Sequence, residues 1–243
     1  MSDRAVLILE SPPPLDDLDT AELRRMAAAA DEIDECLRVL GKARLNVVGE
    51  ILKGAGQFVQ MTHYPQGDVY DAETHSQYYY HAHREAEHGH FHCFLRAGGM
   101  PGGVTPVADP VAQGWPAGDK AIAHLVAISM DRFGAPIRLF TTNRWVTAET
   151  WYPAADVTRM IERFSVDHAF PSWPTNRWLT AMTRLFRLEI EALVAARDRV
   201  FAEHAARHPD RNPWEDRELE TLSEIAIDPA AQKARVLAAL AAR

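Results

Sequence analysis

Residues 81–92 read His-Ala-His-Arg-Glu-Ala-Glu-His-Gly-His-Phe-His. Five of the chain's 11 histidines (His81, His83, His88, His90 and His92) fall in these 12 residues, where random placement puts about half of one. Imidazole is the commonest protein ligand for metals, so the cluster points first to a bound divalent cation. Bonds of about 2.0–2.1 Å to imidazole nitrogen require several side chains to converge on one point. Glu85 and Glu87 lie among the histidines and offer a carboxylate, as a ligand or as a general base. Two histidines with a carboxylate favour Fe(II) and oxygen chemistry. An all-histidine set favours Zn(II), with copper a poorer choice, and water activated for hydration or hydrolysis. Arg144 joins Glu87 as a catalytic candidate, because its planar guanidinium fits a substrate carboxylate; its competing role is a surface ion pair. Arg96 offers the same group.

These side chains converge only if the segment is a β-hairpin. The tyrosines at 78–80 favour strand, and strands are expected near 77–83 and 88–96, with residues 84–87 as the turn. Residues two apart share a strand face. His81 and His83 then point the same way as Gln77 and Tyr79, and His88, His90 and His92 form a matching row. A third strand near 121–130 places His124 on the face of Ile122, Val126 and Ile128, and a fourth follows at 136–142 after a turn at 131–135. The candidate metal ligands are therefore His81, His83, His88, His90, His92 and His124. A Gly/Pro-rich loop from Gly98 to Pro116 is long enough to cover such a site. Cys93 alternates away from His90 and His92 and reads as a buried structural thiol.

Two further readings compete with a metal enzyme. One is a closed metal-binding or sensing site with no vacancy. The other is a structural module in which the histidines bond only to one another; His124 alone is equally readable as a satisfied core residue. His63 and His75 read as structural, His168 as a loop residue, and His204 and His208 as histidines at a helix C-terminus.

Helices flank this region. Asp19 and Glu22 have capping-box spacing. Leu23, Met26, Ala30, Ile33, Leu37 and Leu40 then recur at helical spacing up to Gly41. A second helix is expected over 43–54, a short one over 154–164, a long one capped by Thr175 and running to 207, and a last one opened by Asp228-Pro229. The expected architecture is an α+β single domain over 1–243. Residues 1–60 form a helical part, 61–150 a small antiparallel β core with the histidine hairpin, and 151–243 a second helical part.

Composition narrows the partners. The formal net charge is -8 and the basic residues are scattered, which argues against nucleic acid. No run approaches the roughly 20 apolar residues of a membrane span. Two cysteines, Cys36 and Cys93, make no disulfide framework and suit a reducing compartment. The expectation is a cytoplasmic protein acting on a small molecule. There is no phosphate-cradling glycine loop and no dinucleotide fingerprint.

Several segments carry a resemblance. His63-Tyr64-Pro65-Gln66-Gly67-Asp68-Val69-Tyr70-Asp71, Tyr78 to His83, Glu87-His88-Gly89-His90-Phe91-His92 and Leu139 to Trp145 resemble a family of bacterial proteins known as a domain of unknown function. The likeness covers most of the chain and implies no activity. His81-Ala-His83-Arg-Glu-Ala-Glu87 is also similar to the His-x-His-x3-Glu motif of cupins, without that motif's glycine, with Phe94 in its place, and without a clear second motif. This likeness implies two histidines and a carboxylate around a metal. Two His-x-His strands followed by a lone strand histidine resemble the three-histidine zinc site of α-type carbonic anhydrases.

Overall fold

A computed structural model describes residues 6–84 and 86–243. The chain opens with β1 (Leu7–Ile8), α1 (Thr20–Lys42) and α2 (Val47–Leu52). The strands β2 (Tyr64–Tyr70), β3 (Ser76–His81), β4 (Gly89–Arg96), β5 (Ile122–Met130) and β6 (Pro136–Thr142) follow. Next come α3 (Arg144–Thr147), α4 (Ala154–Ile161), α5 (Trp173–Leu185) and α6 (Arg187–Arg207), then β7 (Thr221–Ala226) and α7 (Pro229–Ala241).

The strands form one seven-stranded sheet in the order β1-β7-β6-β5-β4-β3-β2. Every neighbouring pair is antiparallel except β1 with β7, which is parallel. The expected small antiparallel sheet is therefore corrected to a large, mixed one. The mixed helix-and-sheet character holds.

Period-two alternation divides the sheet into two faces. Tyr78 and Tyr80 of β3 and Phe91, Cys93 and Leu95 of β4 enter the hydrophobic core. That core runs from Leu15 to Val236 and includes the buried faces of α1, α5 and α6. The Phe91 ring lies 5.9 Å from Trp178 of α5, and the Tyr78 hydroxyl bonds Asn176 at 2.5 Å. Gln77, Tyr79, His81, His90, His92 and Phe94 point to the opposite face. Cys93 is fully buried, as expected, and burial pushes its thiol pKa upward.

Asp19 caps α1 through the capping box: its carboxylate accepts the Glu22 amide at 2.7 Å, and its own amide donates to the Glu22 carboxylate at 2.9 Å. The expected helix over 43–54 shortens to α2, because Asn46 caps it by accepting the Gly49 amide. The single long helix from Thr175 to 207 is two helices, broken at Phe186 with φ -102° and ψ 23°. No glycine or proline marks that break; α5 packs on α1, whereas α6 packs on β6, β7 and α4.

Two irregularities re-aim side chains. In β5 the register slips between the Cys93–Val126 and Phe94–His124 pairs, so Leu125 is the extra residue of a bulge. Leu125, Val126 and Ile128 all join the core. His124 therefore does not share the face of Val126 and Ile128; beyond the bulge, Ala127 and Ser129 continue its face. In β2 the slip lies between Tyr64 and Val69, where Gly67 and Asp68 take φ values of 86° and 60°. Among the described residues no helix is long and apolar enough to cross a membrane.

Phe91 tests this two-faced arrangement. Phe91→Ala is expected to lower unfolding free energy by about 3–5 kcal/mol through lost burial and a cavity. A urea titration reads it as a lower midpoint at unchanged slope; an unshifted midpoint would show that Phe91 does not tie the sheet to α5.

Candidate metal centre

β3 and β4 pair so that His81 faces His90 and Tyr79 faces His92. These residues fall on the face turned away from α5. Gly89 lets β4 start this close to its neighbour: a Cβ there would lie 2.6 Å from the His81 carbonyl oxygen and 2.6 Å from the Tyr80 hydroxyl. His81, His90 and His92 are brought together in a buried group whose ligand atoms all lie within 4.8 Å of one another. Nε2 of His81 is 2.8 Å from Nε2 of His90 and 3.1 Å from Nε2 of His92. The three rings meet at interplanar angles of 86°, 70° and 80°. Ligands about 2.0–2.1 Å from one zinc, at tetrahedral or facial angles, stand roughly 3 Å apart, so these three nitrogens can hold a metal ion.

The outer nitrogens are held in place. His90 Nδ1 bonds the Glu87 carboxylate. His92 Nδ1 lies 2.9 Å from His124 Nε2, and the His124 backbone N–H donates to buried Glu149 at 2.7 Å. Partners of this kind fix the tautomer and the ring orientation of metal-bound histidines. Glu87 and His124 thus stand behind the converging nitrogens, not among them. The cupin-like set His81, His83 and Glu87 does not assemble.

The other candidates part from the cluster. β3 ends at His81, so His83 lies beyond the strand; its ring sits 4.9 Å from His81 and 5.0 Å from His90, and its Nδ1 lies 3.7 Å from Glu220. His88 precedes the first residue of β4 and does not continue the row of His90 and His92. Its Nδ1 lies 2.7 Å from the Tyr80 hydroxyl, and its ring stacks 5.1 Å from Phe58 on the core side. The expected tight turn at 84–87 is a longer connection over 82–88, and Glu85 lies outside the described residues. Arg144 is buried at the start of α3, paired with Glu215 and set 5.2 Å from the Trp115 ring.

Sequence reasoning missed two neighbours. The His63 ring stacks 3.6 Å from Tyr79 and meets His81 edge-on at 5.5 Å, with Asp68 3.1 Å from its Nδ1. Its distance from the cluster in the sequence hid it. Glu149 is fully buried, and burial raises its carboxyl to about 7 against the opposing pull of Arg197; only the sheet order brings it to His124.

Burial disfavours charge where the rings meet. Burial, reinforced by His90 and His83, pushes His81 down to about 2. Burial takes His124 to about 3 and holds His90 and His92 well below the usual imidazole range. Burial also raises the Glu87 carboxyl. Neutral imidazole is the form that ligates metals.

The sequence matches the family described as Domain of unknown function (DUF6969) over residues 27–227. The chain belongs to the DUF6969 family. No curated protein and no solved structure matches it. The matched region of this DUF6969 chain contains all of β2 to β6, the three converging histidines, Glu87, His124 and Arg144.

A histidine held neutral in the fold binds fewer protons than it does unfolded. Stability is therefore lost as pH falls below the unfolded value of about 6.5. Each such group contributes up to about 1.4 kcal/mol per pH unit in that direction. Metal-free protein is expected to melt at steeply lower temperature between pH 7 and 5, as followed by circular dichroism. A melting temperature flat across that range would count against neutral, buried His81, His90, His92 and His124.

Proposed function

We propose that this chain holds one divalent ion, Zn(II) foremost, on the Nε2 atoms of His81, His90 and His92, and uses it to hydrate or hydrolyse a small molecule. One observation carries the reading. A ring nitrogen has a single in-plane direction, for one proton or one lone pair. Nε2 of His81 nonetheless has two ring nitrogens at 2.8 and 3.1 Å, while its Nδ1 is buried without a partner. Hydrogen bonding serves both contacts only by splitting one proton or one lone pair between them, whichever tautomers the rings adopt. A cation at the meeting point satisfies both.

The ligand set favours zinc over iron. The converging atoms are all imidazole nitrogens, and the nearby carboxylate, Glu87, is engaged at His90 Nδ1. The two-histidine, one-carboxylate arrangement of iron oxygenases is therefore less well supported. Three protein ligands leave a fourth position, where zinc lowers the pKa of water to about 7. His83, with 19% of its side chain exposed, lies on the accessible side of the cluster and is suited to pass protons to solvent.

His83 also carries the second reading. Its ring lies close enough to both His81 and His90 that a side-chain rotation would make it a fourth ligand, closing the site for metal storage or sensing.

Purified protein is expected to contain about one zinc per chain, lost in His90→Ala and in His92→Ala. Glu87→Ala is expected to keep the metal but bind it about 10–100-fold more weakly, as read by competition with a chromophoric chelator. His83→Ala separates the two readings: unchanged zinc affinity supports the open site, and a large loss supports the closed one. Protein that takes up neither zinc, iron nor copper sinks the proposal.

A further inference from the structure

Beside the three-histidine group the sheet face opens into a hollow of about 820 Å³, within the range of small-molecule sites. One wall is His63 and Tyr79, whose rings lie 5.5 and 5.2 Å from that of His81. The hollow is thus one side chain removed from the histidines. The facing wall is Gly114–Pro116, the end of the Gly/Pro-rich loop, with the first turn of α3. Three cations, Arg96, Lys120 and Arg144, line it against one carboxylate, Asp68. In a chain of net charge -8 this is a local reversal of sign.

The cations are incompletely used. Asp68 is occupied by His63 and by the Gln77 amide at 2.7 Å. Arg96 donates its Nε to Gln77 and forms no ion pair among the described residues, and neither does Lys120. Arg144 is buried, with Nη1 on Glu215 and Nε left without a partner. A buried guanidinium with an unused donor is costly unless something else meets it.

We infer that this hollow binds the carboxylate of a flat small molecule; this assignment does not rest on the metal reading above. Arginine forks suit carboxylate and phosphate alike. The hollow offers no glycine-rich backbone cradle, and α3 has only four residues, so the carboxylate is the better match. Tyr79, Phe94 and Trp115 give the walls flat apolar surfaces for an aromatic body.

The test is calorimetry with benzoate, benzamide and inorganic phosphate, on protein as purified and after zinc loading. Benzoate is expected to bind, with benzamide weaker by roughly ten-fold or more for want of the charge. Arg96→Gln and Lys120→Ala, both partly or fully exposed positions, are expected to weaken benzoate several-fold without unfolding the chain. Arg144→Gln should weaken it further, its folding checked by circular dichroism. Absence of benzoate binding, equal binding of benzamide, or tighter binding of phosphate overturns the assignment. Zinc uptake measured on the same samples separates the two ideas. Uptake without benzoate binding sinks the carboxylate hollow alone, and benzoate binding without uptake sinks the metal reading alone.

Discussion

A neutral imidazole has one proton and one lone pair, and in a dry interior both need partners. Around His81, His90 and His92 this constraint organises what surrounds them. Glu87 takes up His90 Nδ1 and His124 takes up His92 Nδ1, so the outer sides of two rings are settled by the protein. Their inner nitrogens then have nowhere to point except at His81 Nε2. Burial opposes the simplest relief, a shared extra proton, because it disfavours the charged form there. A cation at the centre would meet all three inner nitrogens at once, and its charge would be partly balanced by Glu87, held behind His90.

Such a site needs a rigid frame, and β4 supplies it. Its odd-numbered side chains, Phe91, Cys93 and Leu95, are locked into the core against α5, while its even-numbered ones form the site. A strand buried on both faces is firmly fixed in register, since a one-residue slip would drive histidines into the core and Phe91 into the site. Gly89 and the bulge at Leu125 then adjust the ends. The first allows the tight His81–His90 approach, and the second turns His124 to the site while keeping Leu125 and Val126 in the core.

This also explains what the sequence revealed and what it withheld. The alternation over 77–96 is local, so the hairpin, its two faces and the convergence of His81, His90 and His92 were readable from spacing alone. His88 was misread because the alternation was carried past Gly89, where the strand begins. At the other end β3 stops at His81, so the alternation was carried two residues too far to His83. Three strands escaped the sequence reading: β2 contains Pro65, Gly67 and Asp68, β1 has two residues, and β7 lies within the part expected to be helical. The break at Phe186 has no local signal because it arises where two helices meet different partners. His63 and Glu149 reach the site only through strand order, which no spacing along the chain encodes.

The separation of neutral and charged groups follows from the same physics. At the centre, neutral ligands and a desolvated setting strengthen whatever electrostatic interaction a bound cation makes. Arg96 and Lys120 stand off in the hollow, where water screens them until a ligand displaces it, while Arg144 is buried against Glu215. A cation placed among the three histidines would compete directly with a bound metal. One placed beyond Tyr79 and His63 can instead attract an anion and orient it toward the site. In the proposed reading two kinds of positive charge are thus kept apart: an ion that would sit among the histidines, and fixed side chains that would hold a carboxylate in the hollow.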